Sequence, residues 1–431
     1  MANKYNILIT GVAGFLGSHL SEKLLSLGHN VVGVDNMIGG YEDNIPKKVK
    51  FYNLDCSDFS KIKEIMKNID VVYHCAATAH EGLSVFSPYE ITKNNYLASV
   101  SIFSAAINEK VKRIIFCSSM ARYGDQQTPF TEDMKPKPVD PYGISKVAAE
   151  DVLKNLCELN DIEWVIAVPH NIIGPKQIYT DPYRNVVSIF LNRMLQGKSP
   201  IVYGDGEQKR CFSYIDDCLS CLIPMLDQEN LNKQIINIGP DEEFVTINKV
   251  VEICSNITGS NLEAIYKKDR PREVKHAICS ADKARKLLNY QTKVDLIEGV
   301  KKTYDYIKKK GTKDFINTLF DKIEQNGNEL DIHSELHKAT FLLVGHAMLG
   351  EESTWLKLNV EKLRNAFTYG LQPLYLETQE GKAAEIIMKS FSSEVFQRSQ
   401  NRKTSDFVTI TDLLLSSDKN SPYHNNPRLQ H

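Results

Sequence analysis

Short apolar runs alternate with segments of helical spacing along the first 170 residues of the chain. Runs rich in β-branched and aromatic residues predict strands, and apolar residues that recur every three or four positions predict helices. The predicted strands are 5–10, 31–34, 49–54, 71–74, 113–117 and 164–168, and the predicted helices are 18–27, 59–66, 91–108 and 142–159. Regular alternation of this kind predicts an α/β fold with a doubly wound parallel sheet.

The pattern becomes less regular after residue 170. Loops rich in glycine, proline and aspartate separate short elements up to residue 311, which predicts a smaller region that is partly interleaved with the sheet. Residues 313–400 are rich in helix formers and contain no proline before Pro373, whereas the end, 420–431, is polar with two prolines. We expect residues 312–431 to form an appended helical extension of unknown role. We therefore divide the chain into segments 1–170, 171–311 and 312–431.

Composition excludes several classes of protein. The chain has 431 residues, of which 42% are hydrophobic and 25% charged, and its formal net charge is −2. A basic patch for nucleic acid, an apolar run of the ~20 residues that span a bilayer and a signal-peptide pattern are all missing from the sequence. We expect a cytoplasmic protein without a nucleic-acid or membrane partner.

The nine cysteines predict no zinc site, because Cys218 and Cys221 form the one Cys-x-x-Cys spacing and no second pair completes it. We expect reduced, mostly buried thiols and no bound metal.

A glycine-rich turn follows the first predicted strand. Gly11, Gly14 and Gly17 have the spacing that allows a tight turn, a close approach of the backbone to a pyrophosphate and tight packing of the next helix. The helix start adds free N–H groups for phosphate. Asp35 ends the second strand, where a carboxylate accepts hydrogen bonds from ribose hydroxyls and repels a 2′-phosphate. The sequence therefore predicts a Rossmann domain that binds NAD rather than NADP.

Tyr142 and Lys146 lie four residues apart, which places them on one face of the predicted helix. A nearby ammonium and a positively charged nicotinamide would lower the pKa of the phenol, so that Tyr142 could act as a general acid or base. Ser119 follows a strand that ends at the expected ligand-binding edge of the sheet. These three residues are our candidate catalytic set.

The chain resembles the extended short-chain dehydrogenase/reductase family, and within it the nucleotide-sugar 4-epimerases of the UDP-glucose 4-epimerase type. The resemblance covers about residues 5–300. Besides the glycine loop and the Tyr142–Lys146 pair, the segments that carry it are Asn53–Cys56, Val72–Ala77, Pro169–Pro175, Tyr203–Arg210, Phe212–Asp217 and Arg270–Val274.

The resemblance implies that NAD is the cofactor and a nucleotide sugar, with uridine as its base, the substrate. The implied cofactor-binding residues are Gly11, Gly14, Phe15, Leu16, Gly17, Asp35, Asn36, Asp55, Cys56, Ala76, Ala77, Thr78, Asn95, Tyr142, Lys146 and His170. The implied substrate-binding residues are Ser119, Asn171, Asn185, Val186, Tyr203, Arg210 and Arg270. Segments 1–170 and 171–311 would then bind NAD and the nucleotide sugar respectively. The resemblance also implies a homodimer that packs through helices 91–109 and 142–159.

Met120 and Ala121 distinguish between reactions of this family. Dehydratases of the family carry Asp-Glu at these positions, and its decarboxylases carry a glutamate at the second. Without those carboxylates, the residues favour 4-epimerisation through a transient 4-keto sugar, with Tyr142 as acid and base. A dehydratase or reductase of the same family remains an alternative. His80 and Glu81 could supply the additional acid and base that 3,5-epimerising or reducing relatives need. An assembly or regulatory protein that retains the fold is the alternative from a different class.

Overall fold

The computed structural model describes residues 3–270 and 274–326, and the chain divides into two units after Ile307. Within the described residues, the larger unit forms strands of two to seven residues. These are β1 (Asn6–Thr10), β2 (Asn30–Asp35), β3 (Lys50–Asn53), β4 (Val71–His74), β5 (Arg113–Cys117), β6 (Glu163–Pro169), β7 (Ile172–Ile173), β8 (Ile201–Tyr203), β9 (Lys209–Arg210), β10 (Ser213–Tyr214), β11 (Gln234–Ile238), β12 (Val245–Thr246), β13 (Ile265–Lys267) and β14 (His276–Ala277).

Helices follow most of the long strands. They are α1 (Phe15–Ser26), α2 (Phe59–Ile65), α3 (Glu81–Ser84), α4 (Pro88–Ile91), α5 (Ala98–Asn108), α6 (Pro141–Leu159), α7 (Val186–Leu195), α8 (Ile215–Leu222), α9 (Ile247–Thr258), α10 (Asp282–Leu288) and α11 (Leu296–Asn326). A π-helical turn, Thr92–Leu97, joins α4 to α5. The helix predicted at 91–108 is therefore helical throughout its range, with a π-helical first part and α5 as its second.

The central sheet has seven strands in the order β11-β6-β5-β4-β1-β2-β3, and all of its neighbouring strands run parallel. Strand order reverses between β1 and β4, so the carboxyl ends of these strands border the crevice where doubly wound sheets bind ligands. The doubly wound Rossmann fold predicted from the sequence is confirmed.

Buried apolar side chains cover both faces of the sheet, because alternate residues of each strand point to opposite sides. On one face, strand residues such as Ile7 and Ile9 pack in a cluster with Leu20 of α1 and with residues of α7, α8 and α9. On the other face, Leu8 and its neighbours pack with α2, α5 and α6. The result is a three-layer domain with two hydrophobic cores.

The region after residue 170 adds small sheets and one strand of the main sheet. Strand β7 pairs with β10, β8 with β13, and β9 lies between β12 and β14. Strand β11 pairs with β6 at the edge of the central sheet, so this region and the first 170 residues share a sheet. The boundaries at residues 170 and 311 stay predictions.

Only the beginning of the predicted helical module lies within the described residues, as the part of α11 that ends at Asn326. Residues 327–431 lie outside them, so the predicted module stays a prediction. Among the described residues, no helix combines the length and the apolar character that a membrane crossing requires.

All nine cysteines are free, and eight of them are buried. The expectation of mostly buried thiols is confirmed, and their reduced state stays a prediction.

Candidate active site

The glycine loop forms a cradle, an open space that side chains would fill if its glycines were replaced by larger residues. Gly11 has a φ of 72°, and a Cβ added to it would lie 2.9 Å from the backbone of Ala76. A Cβ on Gly17 would lie 2.2 Å from the carbonyl oxygen of Gly11. Helix α1 begins within this segment, at Phe15, and its first N–H groups have no partner within the helix. The loop therefore fits the pyrophosphate of a dinucleotide.

Asp35 lies at the carboxyl end of β2, beside this loop. Its carboxylate accepts hydrogen bonds from the backbone N–H of Ala13 at 3.0 Å and of Met37 at 2.8 Å. Burial raises the pKa of this carboxyl group, and the two N–H donors counteract that effect. The carboxylate is thus held in place at the position where the sequence predicts a ribose contact.

One cavity of about 440 Å³ joins the glycine loop to the candidate catalytic residues. Most of the predicted site residues line it. They are Gly11, Gly14, Phe15, Leu16, Gly17, Asp35, Asn36, Asp55, Cys56, Ala76, Ala77, Thr78, Ser119, Tyr142, Lys146, Asn171, Asn185 and Arg270. The fold therefore brings together residues that are spread along the sequence from position 11 to position 270.

Five predicted site residues are not part of the cavity lining: Asn95, His170, Val186, Tyr203 and Arg210. Asn95 is buried beside the cavity, where its side-chain amide accepts from the backbone N–H of Thr78 at 2.7 Å and donates to its carbonyl at 3.2 Å. It holds a lining residue in place. Its predicted cofactor contact stays a prediction.

His170 is also buried, and its Nε2 lies 3.2 Å from the carbonyl oxygen of Pro240. Burial lowers the pKa of His170 to about 4, so the ring is neutral at physiological pH. Val186 begins α7, and the side chain of Asn185 caps that helix by accepting from the N–H of Val187 at 3.0 Å.

The two predicted phosphate-binding arginines differ in their surroundings. The Arg210 guanidinium donates to the backbone carbonyls of Val274 at 2.7 Å and Lys275 at 3.1 Å. Arg270 lines the cavity, with its guanidinium 4.2 Å from the centre of the Tyr203 ring. Arg270 therefore presents a cation to the cavity, whereas Arg210 braces the segment that follows Arg270.

Tyr142 is the second residue of α6, which Asp140 caps by accepting from the N–H of Gly143 at 2.9 Å. Ser119 follows β5 and forms a hydrogen bond with Tyr142. Lys146 lies one turn further along α6, and its ammonium donates to the carbonyl oxygen of Cys117 at 2.8 Å. The strand end and the helix start thus bring the three candidate catalytic side chains to one place.

Burial controls the protonation of this group. It raises the pKa of Tyr142 above its usual value, while the hydrogen bond from Ser119 and the charge of Arg184 act in the opposite direction. It lowers the pKa of Lys146 to about 8. The spacing of Tyr142 and Lys146 predicts a lowered phenol pKa, whereas burial raises it because a phenolate is costly to place in a buried position.

Comparison with known proteins is consistent with this geometry. Residues 7–239 match the sequence profile of the NAD dependent epimerase/dehydratase family. A UDP-glucuronate 4-epimerase of Thermodesulfobacterium geofontis is 30% identical over 316 residues, 70% of this chain and 95% of the relative. A UDP-N-acetyl-alpha-D-glucosaminuronate decarboxylase of Bacillus cytotoxicus is 30% identical over 320 residues, 71% of this chain and 98% of the relative.

A crystal structure gives the same picture. The UDP-glucose 4-epimerase of Thermotoga maritima, solved with UDP-glucose, has a TM-score of 0.67 and 33% identity, and it covers 71% of this chain and 99% of its own. The chain belongs to the NAD-dependent epimerase/dehydratase family. NAD is therefore its cofactor, and the cradle around Gly11 and Gly17 and the carboxylate of Asp35 fit that molecule.

Sequence reasoning missed a buried ionic network beneath the active site of this NAD-dependent enzyme. Glu150, on α6, accepts from the hydroxyl of Ser118 at 2.5 Å and from two nitrogens of Arg122, both at 3.0 Å. Ser118 and Arg122 flank residues 119–121, the segment that begins with the candidate catalytic serine. A charged residue on the apolar face of α6, eight positions after Tyr142, was the signal that could have identified it.

A second ionic group joins His80, already a candidate from the sequence, to partners that the sequence did not predict. The Nε2 of His80 and the carboxylate of Asp181 are 2.7 Å apart, and Arg184 lies 3.3 Å from the same carboxylate. His80 and Arg184 line the cavity, as do Glu81 and Tyr183. His80 and Asp181 are 101 residues apart in the sequence, so the local sequence pattern did not reveal their proximity.

Proposed function

We propose that this member of the family is a nucleotide-sugar 4-epimerase that acts on a UDP-sugar through a transient 4-keto sugar. One observation carries the proposal: Ser119, Tyr142 and Lys146 line the same cavity as the glycine loop of the NAD site. A sugar that enters this cavity beside the cofactor would meet a general acid–base group and a hydride acceptor at the same carbon atom.

Each of the three side chains has a role that follows from its position. Tyr142 takes the proton of the sugar 4-hydroxyl and returns it after the 4-keto sugar has rotated and presents its opposite face to the cofactor. Ser119 forms a hydrogen bond to the same oxygen, and Lys146 holds the end of β5 through the carbonyl of Cys117. NAD supplies hydride acceptance and a positive ring that favours the phenolate. Together these residues support reversible oxidation at C4.

The choice of epimerisation rests on Met120 and Ala121. They form the turn after Ser119, at the positions where the resemblance gives dehydratases and decarboxylases their carboxylates. Neither side chain exchanges a proton, so elimination of water has no acid at this place. His80 and Glu81 line the cavity and are the residues that would supply the additional acid and base of a reductase, the alternative reaction.

The UDP-sugar is proposed from the complex of the Thermotoga maritima enzyme with UDP-glucose and from the cationic Arg270 in the cavity wall. A guanidinium pairs with two oxygens of a diphosphate at once. Asn171 and Asn185 also line this part of the cavity. We assign these three residues to the substrate.

The homodimer predicted by resemblance is supported by exposed apolar side chains. Tyr89 of α4, Leu97 of the π-helical turn and Ile144 of α6 are all exposed. Large apolar residues on neighbouring helices are typical of a surface that another chain covers. We expect light scattering to show a dimer for the native chain and a monomer after Leu97→Glu combined with Ile144→Glu. A native monomer would refute this part of the proposal.

The proposed activity is tested by incubating the purified chain separately with UDP-glucose, UDP-N-acetylglucosamine and UDP-glucuronate and following the sugars by NMR. We expect at least one to give its 4-epimer without net release of NADH. A 4-keto-6-deoxy product or a decarboxylated pentose would contradict epimerisation.

Two tyrosine-to-phenylalanine variants test the catalytic assignment, one inside the cavity and one outside it. Tyr142→Phe should lower turnover by about a hundredfold or more, as expected for loss of a general acid–base group. Tyr266→Phe, at an exposed tyrosine outside the cavity lining, should leave turnover unchanged. Full turnover by Tyr142→Phe would refute the catalytic assignment.

A further inference from the structure

Two cysteines face each other at the edge of the sheet where the active site lies. Cys75 follows β4, and Cys117 is the last residue of β5, the neighbouring parallel strand. The strand register pairs His74 with Phe116, so the next residues along each strand are Cys75 and Cys117. Their sulfur atoms are 3.6 Å apart and share a hydrogen bond.

The thiol pair lies between the glycine loop and the candidate catalytic residues that line the cavity. Cys75 and Cys117 each line it. The carbonyl oxygen of Cys117 accepts the hydrogen bond from the Lys146 ammonium. Ala76, directly after Cys75, is the residue whose backbone lies against Gly11 of the cofactor loop. A change at these sulfurs is therefore linked through the backbone to the catalytic lysine and to the NAD cradle.

The local electrostatics favour a reactive sulfur. The hydrogen bond from Cys75 and the nearby Lys146 ammonium lower the pKa of the Cys117 thiol, although burial acts against them. The thiolate is the form of cysteine that reacts with peroxides and disulfides. Hydride transfer and proton transfer at C4 use neither sulfur, so the pair has no part in the proposed epimerisation.

We propose that Cys75 and Cys117 form an oxidative modification site, at which hydrogen peroxide converts the two thiols into a disulfide that weakens NAD binding. The Cys117 thiolate attacks one oxygen of the peroxide, which gives a sulfenic acid and releases the second oxygen as water after protonation. The Cys75 thiol then attacks the sulfenic sulfur and expels a second water. Two thiols and one peroxide thus give one disulfide and two waters, and the two electrons pass from sulfur to oxygen.

The geometry explains both why the bond can form and why it affects NAD. A disulfide requires a sulfur–sulfur distance of about 2.05 Å, so the two atoms must approach by roughly 1.5 Å from their present separation. Adjacent strands place the two Cα atoms within the range that disulfides span. Movement of Cys75 shifts Ala76, whose backbone lies so near Gly11 that a Cβ added to Gly11 would come within 2.9 Å of it. Bound NAD should in turn restrict access of peroxide.

The experiment uses the full chain, with and without saturating NAD, treated with hydrogen peroxide and then with an alkylating agent. Peptide mapping should find a disulfide between Cys75 and Cys117 in the chain treated without NAD. NAD affinity, measured by calorimetry, should fall about tenfold or more after treatment and return with dithiothreitol. Prior saturation with NAD should slow disulfide formation.

Variants separate this site from the other thiols. Cys75→Ala and Cys117→Ala, made separately, should each lose the reversible fall in NAD affinity relative to their own untreated samples. The matched control is the double variant Cys218→Ala with Cys221→Ala, which removes two buried thiols of α8 outside the cavity lining and should respond as the native chain does.

Three results would overturn the proposal. The first is a different disulfide in the peptide map of the native chain. The second is a fall in NAD affinity in both single variants that equals the fall in the native chain. The third is a fall in the NAD affinity of the native chain that dithiothreitol does not reverse. Because peptide mapping is done on the native chain, the proposal can fail even if a variant does not fold. None of these outcomes depends on which sugar the enzyme converts, so they are independent of the test of the proposed function.

Discussion

The buried ion pair between Arg122 and Glu150 gives the sharpest prediction about stability. Their side chains are 1% and 0% exposed, and two nitrogen–oxygen contacts of 3.0 Å join them. Replacing Arg122 by methionine removes the cation and leaves the carboxylate buried with the Ser118 hydroxyl and with Lys154, which is 3.7 Å away. Breaking one side of a buried pair typically costs about 3–5 kcal/mol. Since two partners remain, we expect about 3 kcal/mol for Arg122→Met.

Urea denaturation of the full chain measures this effect. The double variant Arg122→Met with Glu150→Met should be more stable than Arg122→Met alone, because it leaves no unpaired charge in the core. Lys249→Met is the matched control, since it breaks an exposed pair with Glu252 and should change the free energy of unfolding by less than about 1 kcal/mol. A change below about 1 kcal/mol for Arg122→Met, or a double variant less stable than the single one, would show that the pair does not stabilise the fold in this way.

Three further predictions concern the cofactor site and pH. Gly17→Ala should abolish NAD binding in calorimetry, because its Cβ would lie 2.2 Å from the Gly11 carbonyl oxygen; retained affinity would contradict the cradle. Asp35→Asn should lower the preference for NAD over NADP by about tenfold or more in paired titrations, and an unchanged ratio would contradict the ribose contact. Burial holds the pKa of His170 at about 4, below the usual 6.5, so its contribution to stability is complete above pH 6.5 and is lost as pH falls towards 4. Between pH 7 and pH 5 the native chain should lose about 2 kcal/mol more stability than His170→Gln, as measured by urea denaturation, and equal losses would contradict this.

The sequence predicted those features that depend on local pattern. Strand β4 was placed at its observed bounds because four consecutive apolar or aromatic residues mark a strand buried on both faces. The glycine spacing and Asp35 predicted the NAD cradle, because the loop, its strand and its helix are continuous in the chain. The same continuity made Tyr142 and Lys146 recognisable as neighbours on α6.

Features that depend on tertiary packing were not predictable in the same way. The pairing of β11 with β6 joins segments about 70 residues apart, and nothing in the local pattern specifies it. The Arg122–Glu150 pair and the His80–Asp181 pair likewise join distant segments. The raised pKa of Tyr142 results from burial, which the spacing of Tyr142 and Lys146 does not reveal.

The central claim is that the enzyme oxidises the sugar at C4 and returns the same hydrogen to the opposite face. Its most direct test uses UDP-glucose, UDP-N-acetylglucosamine and UDP-glucuronate, each carrying deuterium at C4, in ordinary water. We expect a 4-epimer that retains deuterium at C4, with no release of the label to solvent. A 4-epimer that has lost its deuterium, or a product altered at C5 or C6, would contradict it.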